Sequence, residues 1–554
     1  MVGYHRRDID MPATASSDLR KPTTPIFGGL NSAGDLMVRN AQVLGRETGL
    51  TFGDVRLSWR EVNGRANRLA NELQRLGIER GDRVAIYARN SHQWVEALFG
   101  LSKIGAIAVT VNYRLTAAEV EFLIRDSGAR AIICGVTEAQ TARIVASQVS
   151  EVRWLIGINL QTSESDHLIE DYETLVERGD EREPELDRPL QSDDPAMLLY
   201  TSGTTGFPKG AIYTHGSLLI GMFVHVHAIG SRRTHRVMLP SPLYSAAGIA
   251  GIFCAVYVGS RIALINFDPV TALETIERER ITFTNFVPTT IRMLLTHPDI
   301  GRYDLSSLEV LLYGGSPIPE SVLRDAMRRL PACGFRQTFA ATETGCSGTV
   351  LEPREHRAAL EDPQLAHRLL SCGRPQINVD VRIADENGEI LPAGEVGEIT
   401  IRTEANMAGY WNNPEATARA LRDGWVYTGD MARMDEDGYV YLVDRKNDLI
   451  VSGGLNVYPS EVERVLETHP SVFECAVIGV PDDKWGEAIK AIVVVRAGAT
   501  LTAEELIQHC EGRIADFKRP KSVDFADTLP RNLTGKILRR EVRDKYWAGR
   551  DRKI

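Results

Sequence analysis

The stretch Tyr200-Thr201-Ser202-Gly203-Thr204-Thr205-Gly206-Phe207-Pro208-Lys209-Gly210 decides the reading of this chain. It holds four Ser/Thr hydroxyls, three glycines and one lysine. Glycines let successive backbone N–H groups turn inward into an anion-binding nest. The hydroxyls add donors, and Lys209 adds a mobile cation. That is a composition for cradling phosphate. It is not a Walker A loop, because G-x-x-x-x-G-K-[ST] does not occur. On composition alone, a flexible surface connection is the competing reading.

Working outward, residues 196–200 read as a short apolar strand leading into the loop. Upstream, strand and helix signals alternate. Ser58 followed by Glu61 is a capping-box pattern, and Val62, Ala66, Leu69, Leu73 and Leu76 recur at helical spacing until Gly77. Strands are expected over 84–88, 106–111 and 131–134, with helices over 92–103 and 117–125. Such alternation predicts a parallel sheet covered on both faces, which binds ligands at the carboxyl ends of its strands. Residues 161–194 are acidic and broken and read as a surface excursion. Over 375–443, short alternating strands with Gly-marked turns predict a small β-barrel or meander. Past Asp444 an α+β segment follows, with Ser460/Glu463 and Thr502/Glu505 as helix caps and strands over 475–480 and 489–495.

Six further strings carry chemistry. Gly314-Gly315-Ser316-Pro317 follows a strand-like run, and two glycines let a flat ring lie against backbone. Gln337-Thr338-Phe339-Ala340-Ala341-Thr342-Glu343 ends on a hydroxyl and a carboxylate. Thr428-Gly429-Asp430 places a carboxylate after a tight turn, where it can accept two hydroxyls. Asp444-Arg445-Lys446-Asn447-Asp448 and Ser452-Gly453-Gly454 follow. Pro530-Arg531-Asn532-Leu533-Thr534-Gly535-Lys536 closes the series.

In this order the strings resemble the adenylate-forming superfamily of acyl-CoA synthetases, peptide-synthetase adenylation domains and luciferases, and the resemblance runs from about residue 57 to 541. It implies an α/β fold: a large N-terminal domain of doubly wound sheets with a small β-barrel, then a small mobile α+β C-terminal domain. The implied divisions are a loose tail (1–26), the AMP-binding domain (27–443), a hinge (444–448) at Asn447, and the C-terminal domain (449–554). Thr201, Ser202, Gly203, Thr204, Thr205, Gly206 and Lys209 would grip the ATP phosphates. Gly314, Gly315, Ser316, Gln337, Phe339 and Ala340 would surround the adenine. Thr342 would donate to the α-phosphate and Glu343 would hold Mg²⁺, a hard cation suited to carboxylate oxygen. Asp430 and Arg445 would take the ribose. Lys536 would lie between the substrate carboxylate and the α-phosphate.

Tyr244, Ser245, Ala246 and Gly248 would border the acyl pocket, and Gly453 and Gly454 would let the pantetheine arm of coenzyme A pass. Three positions depart from the family's habit: Ala340-Ala341 for Gly-Met, Asn447 for Lys or Asp, and Ser245 for His. His225 and His227 lie in an apolar stretch and read as core or wall residues.

The implied reaction joins a carboxylate to the α-phosphorus of ATP, expelling pyrophosphate, and then passes the acyl group to the thiol of coenzyme A, releasing AMP. The expected acid is a medium- or long-chain fatty acid or a bulky acid. An aryl acid and a carrier-protein acceptor are the alternatives, and a non-enzymatic nucleotide sensor is the reading of a different class. No acidic residue in 241–251 marks an amino-acid ammonium site.

Composition bounds these readings. The chain has 554 residues, 43% of them apolar and 25% charged, and a net charge of −10, which speaks against nucleic acid as a partner. No run of 18 apolar residues predicts a membrane span. Seven dispersed cysteines without a C-x-x-C pair fit a reducing compartment, and no signal peptide or S-K-L ending is seen, so the expected location is the cytoplasm. Peripheral membrane contact and self-association stay open.

Overall fold

The computed structural model describes the whole chain except residues 1–29, 161–168, 202–207, 317, 446–447, 454, 483, 532–536 and 549–554. Two large sheets form the body. One runs Ile169–Asp171, Trp154–Gly157, Ala129–Cys134, Arg83–Tyr87, Ile107–Thr110, Pro195–Thr201 and Lys209–Thr214, parallel except for its last pair. The other has nine strands. Its parallel centre is Gly334–Ala340, Val310–Gly314, Phe283–Phe286, Arg236–Leu239 and Arg261–Leu264.

Between the sheets lies the helix His92–Ile104, all of whose residues are buried. Its buried charges are paired, Glu96 with Arg65 and Lys103 with Glu183, as groups enclosed between two layers must be. The main core draws on both sheets around it, through residues such as Ile86, Leu199, Leu239 and Ile262. The expected capping box at Ser58 is present: Glu61 N–H donates to Ser58 Oγ (3.3 Å), and Ser58 N–H donates to Glu61 Oε2 (2.7 Å). The box at Thr502 and Glu505 is present too.

A third, antiparallel sheet joins Asp380–Ala384, Gly397–Arg402 and Trp425–Met434, and both Leu421–Arg422 and Val440–Arg445 pair with the last of these. Its pairing among the described residues is an open meander rather than a closed barrel. The fourth sheet uses only strands after residue 449, with Val472–Asp482 and Gly486–Val495 as its long pair.

Two expectations are corrected. The acidic excursion is not all surface. Ile169–Asp171 is an edge strand, and Tyr172 opens the helix Tyr172–Arg178 fully buried, donating to Gln93 O (3.1 Å) and Glu96 Oε2 (3.0 Å). The acidity answers basic helices beneath it, with Glu173 on Arg65 (2.7 Å), Glu181 on Arg68 (2.9 Å) and Glu183 on Lys103 (2.5 Å).

The second correction concerns Ser460 and Glu463, which form no capping box. The helix Pro459–Leu466 starts at Pro459 with Tyr458 as an N-cap that offers no side-chain acceptor. Proline suits the first helical position, so Ser460 falls inside the first turn. Its N–H donates instead to Asp444 Oδ2 (2.8 Å), while Glu463 accepts from Val477 N–H (2.8 Å) and Arg539 Nε (3.0 Å).

Candidate active site

The phosphate-loop candidate lies between Pro195–Thr201 and Lys209–Thr214, an antiparallel pair whose last described partners, Thr201 and Lys209, stand at the carboxyl end of the parallel strands. Ser202, Gly203, Thr204, Thr205 and Gly206 lie outside the described residues. Thr201 and Lys209 line a cleft of about 3380 Å³ that runs between the sheets and the C-terminal segment. Lys209 Nζ stands 5.1 Å from the centroid of the Tyr410 ring.

The Tyr410 hydroxyl donates to Glu343 Oε1 at 2.7 Å, and Tyr213 donates to Thr342 O at 2.6 Å. Thr342 and Glu343 form a short 3-10 turn directly after the strand Gly334–Ala340. Burial pushes the Tyr410 hydroxyl well above its usual range, and the Glu343 carboxylate adds to this, so the tyrosine stays protonated and donating. Tyr410 was not found from sequence, and nothing local marks it, because its partner lies 67 residues away.

Gly314, Gly315 and Ser316 line the same cleft. The expected reason for the glycines needs refinement. A side chain at Gly314 would meet the Thr338 carbonyl oxygen at 2.3 Å on the neighbouring strand, and Gly315 has φ of +79°. Strand packing and turn geometry therefore already require glycine there, whatever lies in the cleft. Gln337, Phe339 and Ala340 also border the cleft. Phe339 is mostly buried, packed in a cluster with Val224, Cys372 and Ile399. Gln337 Oε1 is buried without a hydrogen-bond partner among the described residues.

Asp430 sits on the strand Trp425–Met434, and the register sets it opposite Arg445. Thr428 and Gly429 form a bulge within that strand rather than the expected turn: Asp430 N–H donates to Thr428 Oγ1 (3.2 Å), and Gly429 N–H donates to Glu398 Oε1 (2.9 Å). The Arg445 side chain, like Asn447, is outside the described residues.

The helix Ala246–Val258 forms one wall. Ala247, Ala250, Gly251, Cys254 and Ala255 line the cleft at spacings of 3, 4, 7 and 8, a single helical stripe of small residues. Tyr244 and Ala246 line it as expected, and Tyr244 meets Tyr113 edge-on at 5.4 Å. Ser245 is at the wall, but its hydroxyl is the helix cap, accepting from Gly248 N–H (3.2 Å) and donating to Pro242 O (2.7 Å). Gly248 is a correction. It is absent from the lining, and a side chain there would meet the Pro242 carbonyl oxygen at 2.1 Å, so its smallness serves backbone packing.

On the facing helix His215–Ile229, His225 is a wall residue. Burial lowers its pKa to about 4, leaving a neutral imidazole. His227 is exposed and bonds Phe223 O at 2.8 Å.

Lys536 lies outside the described residues. The neighbours Arg531 and Ile537 form an antiparallel bridge and line the cleft. Gly453 does not line it, and Gly454 is not described. Gly453 has φ of +60° and lies under Trp485, whose ring would be 2.6 Å from a side chain there. The C-terminal segment thus turns the face bearing Arg531 and Ile537 toward the cleft. Among the described residues no group of three or more His, Cys, Asp or Glu could hold a metal, and no helix is long and apolar enough to cross a membrane.

The model of the AMP-binding enzyme family matches residues 37–411, and that of the AMP-binding enzyme C-terminal domain matches residues 461–536. The chain belongs to the AMP-binding enzyme family. It is 38% identical over 516 residues to a feruloyl-CoA synthase of Amycolatopsis sp, covering 93% of this chain and 99% of the relative. It is 35% identical over 505 residues to a long-chain-fatty-acid–CoA ligase of Mycobacterium tuberculosis, covering 89% of this chain and 94% of the relative. The crystal structure of an anthranilate CoA ligase in complex with anthranoyl-AMP superposes with a TM-score of 0.83 at 27% identity, covering 94% and 98% of the two chains. The protein is accordingly an AMP-forming acid–CoA ligase. It activates a carboxylic acid with ATP to the acyl-adenylate, releasing pyrophosphate, and transfers the acyl group to coenzyme A, releasing AMP.

Proposed function

We propose that the acid is a linear medium- or long-chain fatty acid. The supporting observation is the stripe Ala247, Ala250, Gly251, Cys254 and Ala255 along the cleft wall. From Ala247 to Ala255 that wall is about 12 Å long. Small side chains leave room for an extended apolar chain, and each buried methylene contributes about 0.8 kcal/mol to binding.

In this reading Thr201, Lys209 and the loop between them hold the phosphates, and Asp430 and Arg445 hold the ribose. Phe339 and the 314–316 turn frame the adenine. Lys536 approaches the substrate carboxylate and the α-phosphate, where negative charge gathers during the displacement. Positioning and fixed cationic charge carry most of the catalysis of such a step.

Glu343 offers hard carboxylate oxygen with lone pairs left beyond the one that Tyr410 uses, which fits Mg²⁺. Bound there, the ion would supply neutralisation of phosphate charge. The thiol of the second step arrives with coenzyme A. The segment beyond the 444–448 hinge would alternate between two arrangements, one presenting Lys536 and the other the Gly453–Gly454 side.

A second reading, a hydroxycinnamate-type aryl acid, is favoured by the feruloyl-CoA synthase relative. One experiment separates them: coenzyme A thioester formation with saturated acids of increasing length and with ferulate, for the wild type and Ala250→Phe. The fatty-acid reading predicts rising kcat/KM with length, and an Ala250→Phe optimum displaced to shorter acids with about tenfold loss for the longest, roughly two methylenes of burial. Preference for ferulate, with no dependence on chain length, would overturn it.

A further inference from the structure

The residues that sequence reading assigned to a helix cap do something else. The helix Pro459–Leu466 has no side-chain cap of its own. Its acceptor comes from Asp444, which the expected hinge of 444–448 included but which the structure keeps, with Arg445, in a strand of the N-terminal body. Asp444 lies on the strand Val440–Arg445, which the ladder with Trp425–Met434 fixes to the N-terminal body, in register with Met431. The Asp444 side chain is 2% exposed. It accepts from Ser460 N–H at 2.8 Å, and Ser460 Oγ donates to the Val443 carbonyl.

Arg539 completes the arrangement. Glu463 grips its Nε (3.0 Å) and Nη2 (2.5 Å) within the C-terminal segment. The remaining amine, Nη1, lies 3.7 Å from Asp444 Oδ1 and 3.4 Å from Asp448 Oδ2. Ser460, Glu463 and Arg539 belong to one body and Asp444 to the other. Rotation about the hinge would carry the first three away together. It would keep the Arg539–Glu463 pair and break both the borrowed cap and the ion pair to Asp444.

We propose that Asp444 and Arg539 form a releasable latch that holds the C-terminal segment in the arrangement turning Arg531 and Ile537 toward the cleft. They are then positioning residues for acid activation and not for thioester formation. The inference rests on the alternation of arrangements given under Proposed function. The released arrangement leaves the helix uncapped and Arg539 without Asp444, so the wild type favours the latch; removing the Asp444 carboxylate takes that preference away, and a lost cap alone moves such an equilibrium by about 2- to 30-fold.

The test compares Asp444→Ala and Asp444→Asn with the wild type. Asn keeps an acceptor for Ser460 N–H but gives up the charge facing Arg539. Arg539→Met strips Glu463 of its partner and can unfold the segment, so the Asp444 variants carry the test. Three quantities are read: acid-dependent ATP–pyrophosphate exchange, thioester formation from preformed acyl-adenylate, and the distance between dyes on Glu361→Cys and Asp516→Cys. Both dye positions are exposed and the native cysteines are buried, so dyes go to the introduced thiols.

Asp444→Ala is expected to slow exchange about tenfold, leave the thioester step equal or faster, and populate a second dye distance, with Asp444→Asn between it and the wild type. Equal loss of both half-reactions with an unchanged dye distance, or no change in any quantity, would overturn the latch. A wild type without exchange would instead refute the functional reading, and the dye distance would still judge the latch.

Discussion

Glu343 is held by a tyrosine from a distant part of the chain. Its Oε1 accepts the Tyr410 hydroxyl at 2.7 Å, and the Lys209 cation lies over the same ring. A hydrogen bond to a charged group contributes about 1.5–3 kcal/mol. Tyr410→Phe should therefore reduce pyrophosphate exchange at least tenfold while lowering the melting temperature by only a few degrees, as read by exchange assay and calorimetry. A fall of less than twofold would show that Glu343 needs no such support. The place of Thr342, Glu343 and Asp430 at the cleft was legible in the sequence because each belongs to a short local string. Tyr410 was not, because the contact that gives it meaning is long-range. Gly248 was misread for a related reason: the Pro242 carbonyl that requires a glycine is close only in the fold.

Among the elements, helices and strands with strong periodicity came through with boundaries shifted by a few residues. The helix expected over 92–103 is His92–Ile104, and that over 117–125 is Ala117–Ser127. Caps divide by what precedes them. Ser58 and Thr502 stand just outside their helices in extended backbone and cap them, whereas Pro459 pulls Ser460 inside. Thr502→Ala should then cost about 1 kcal/mol of stability, the usual worth of such a cap. Denaturant unfolding would measure it, and a change under about 0.3 kcal/mol would contradict a working box. The acidic run at 161–194 is a surface excursion only in part: Glu181 and Glu183 stay exposed, but the run also carries the edge strand Ile169–Asp171 and the buried Tyr172, and its charges have partners. Here Glu173, Glu181 and Glu183 face Arg65, Arg68 and Lys103.

At the scale of the molecule, two sheets, a meander and a C-terminal α+β unit surround one cleft. Residues 201, 209, 314–316, 337–343 and 430, far apart in sequence, all reach it. The architecture was legible because parallel-sheet texture, meander texture and the motif order agree with one another. The choice between the two arrangements of the C-terminal unit was not, since it depends on contacts such as that of Asp444 with Ser460. The central claim is that the two lobes join an organic acid to AMP with Lys536 at the reacting atoms. Its most direct measurement is acid-dependent ATP–pyrophosphate exchange in the wild type and in Lys536→Ala. The account predicts exchange with at least one fatty or aryl acid, and a loss of about 10²–10³-fold in the variant, as for removal of one preorganised donor. Equal exchange in the two proteins, or none in the wild type with any acid, would contradict it.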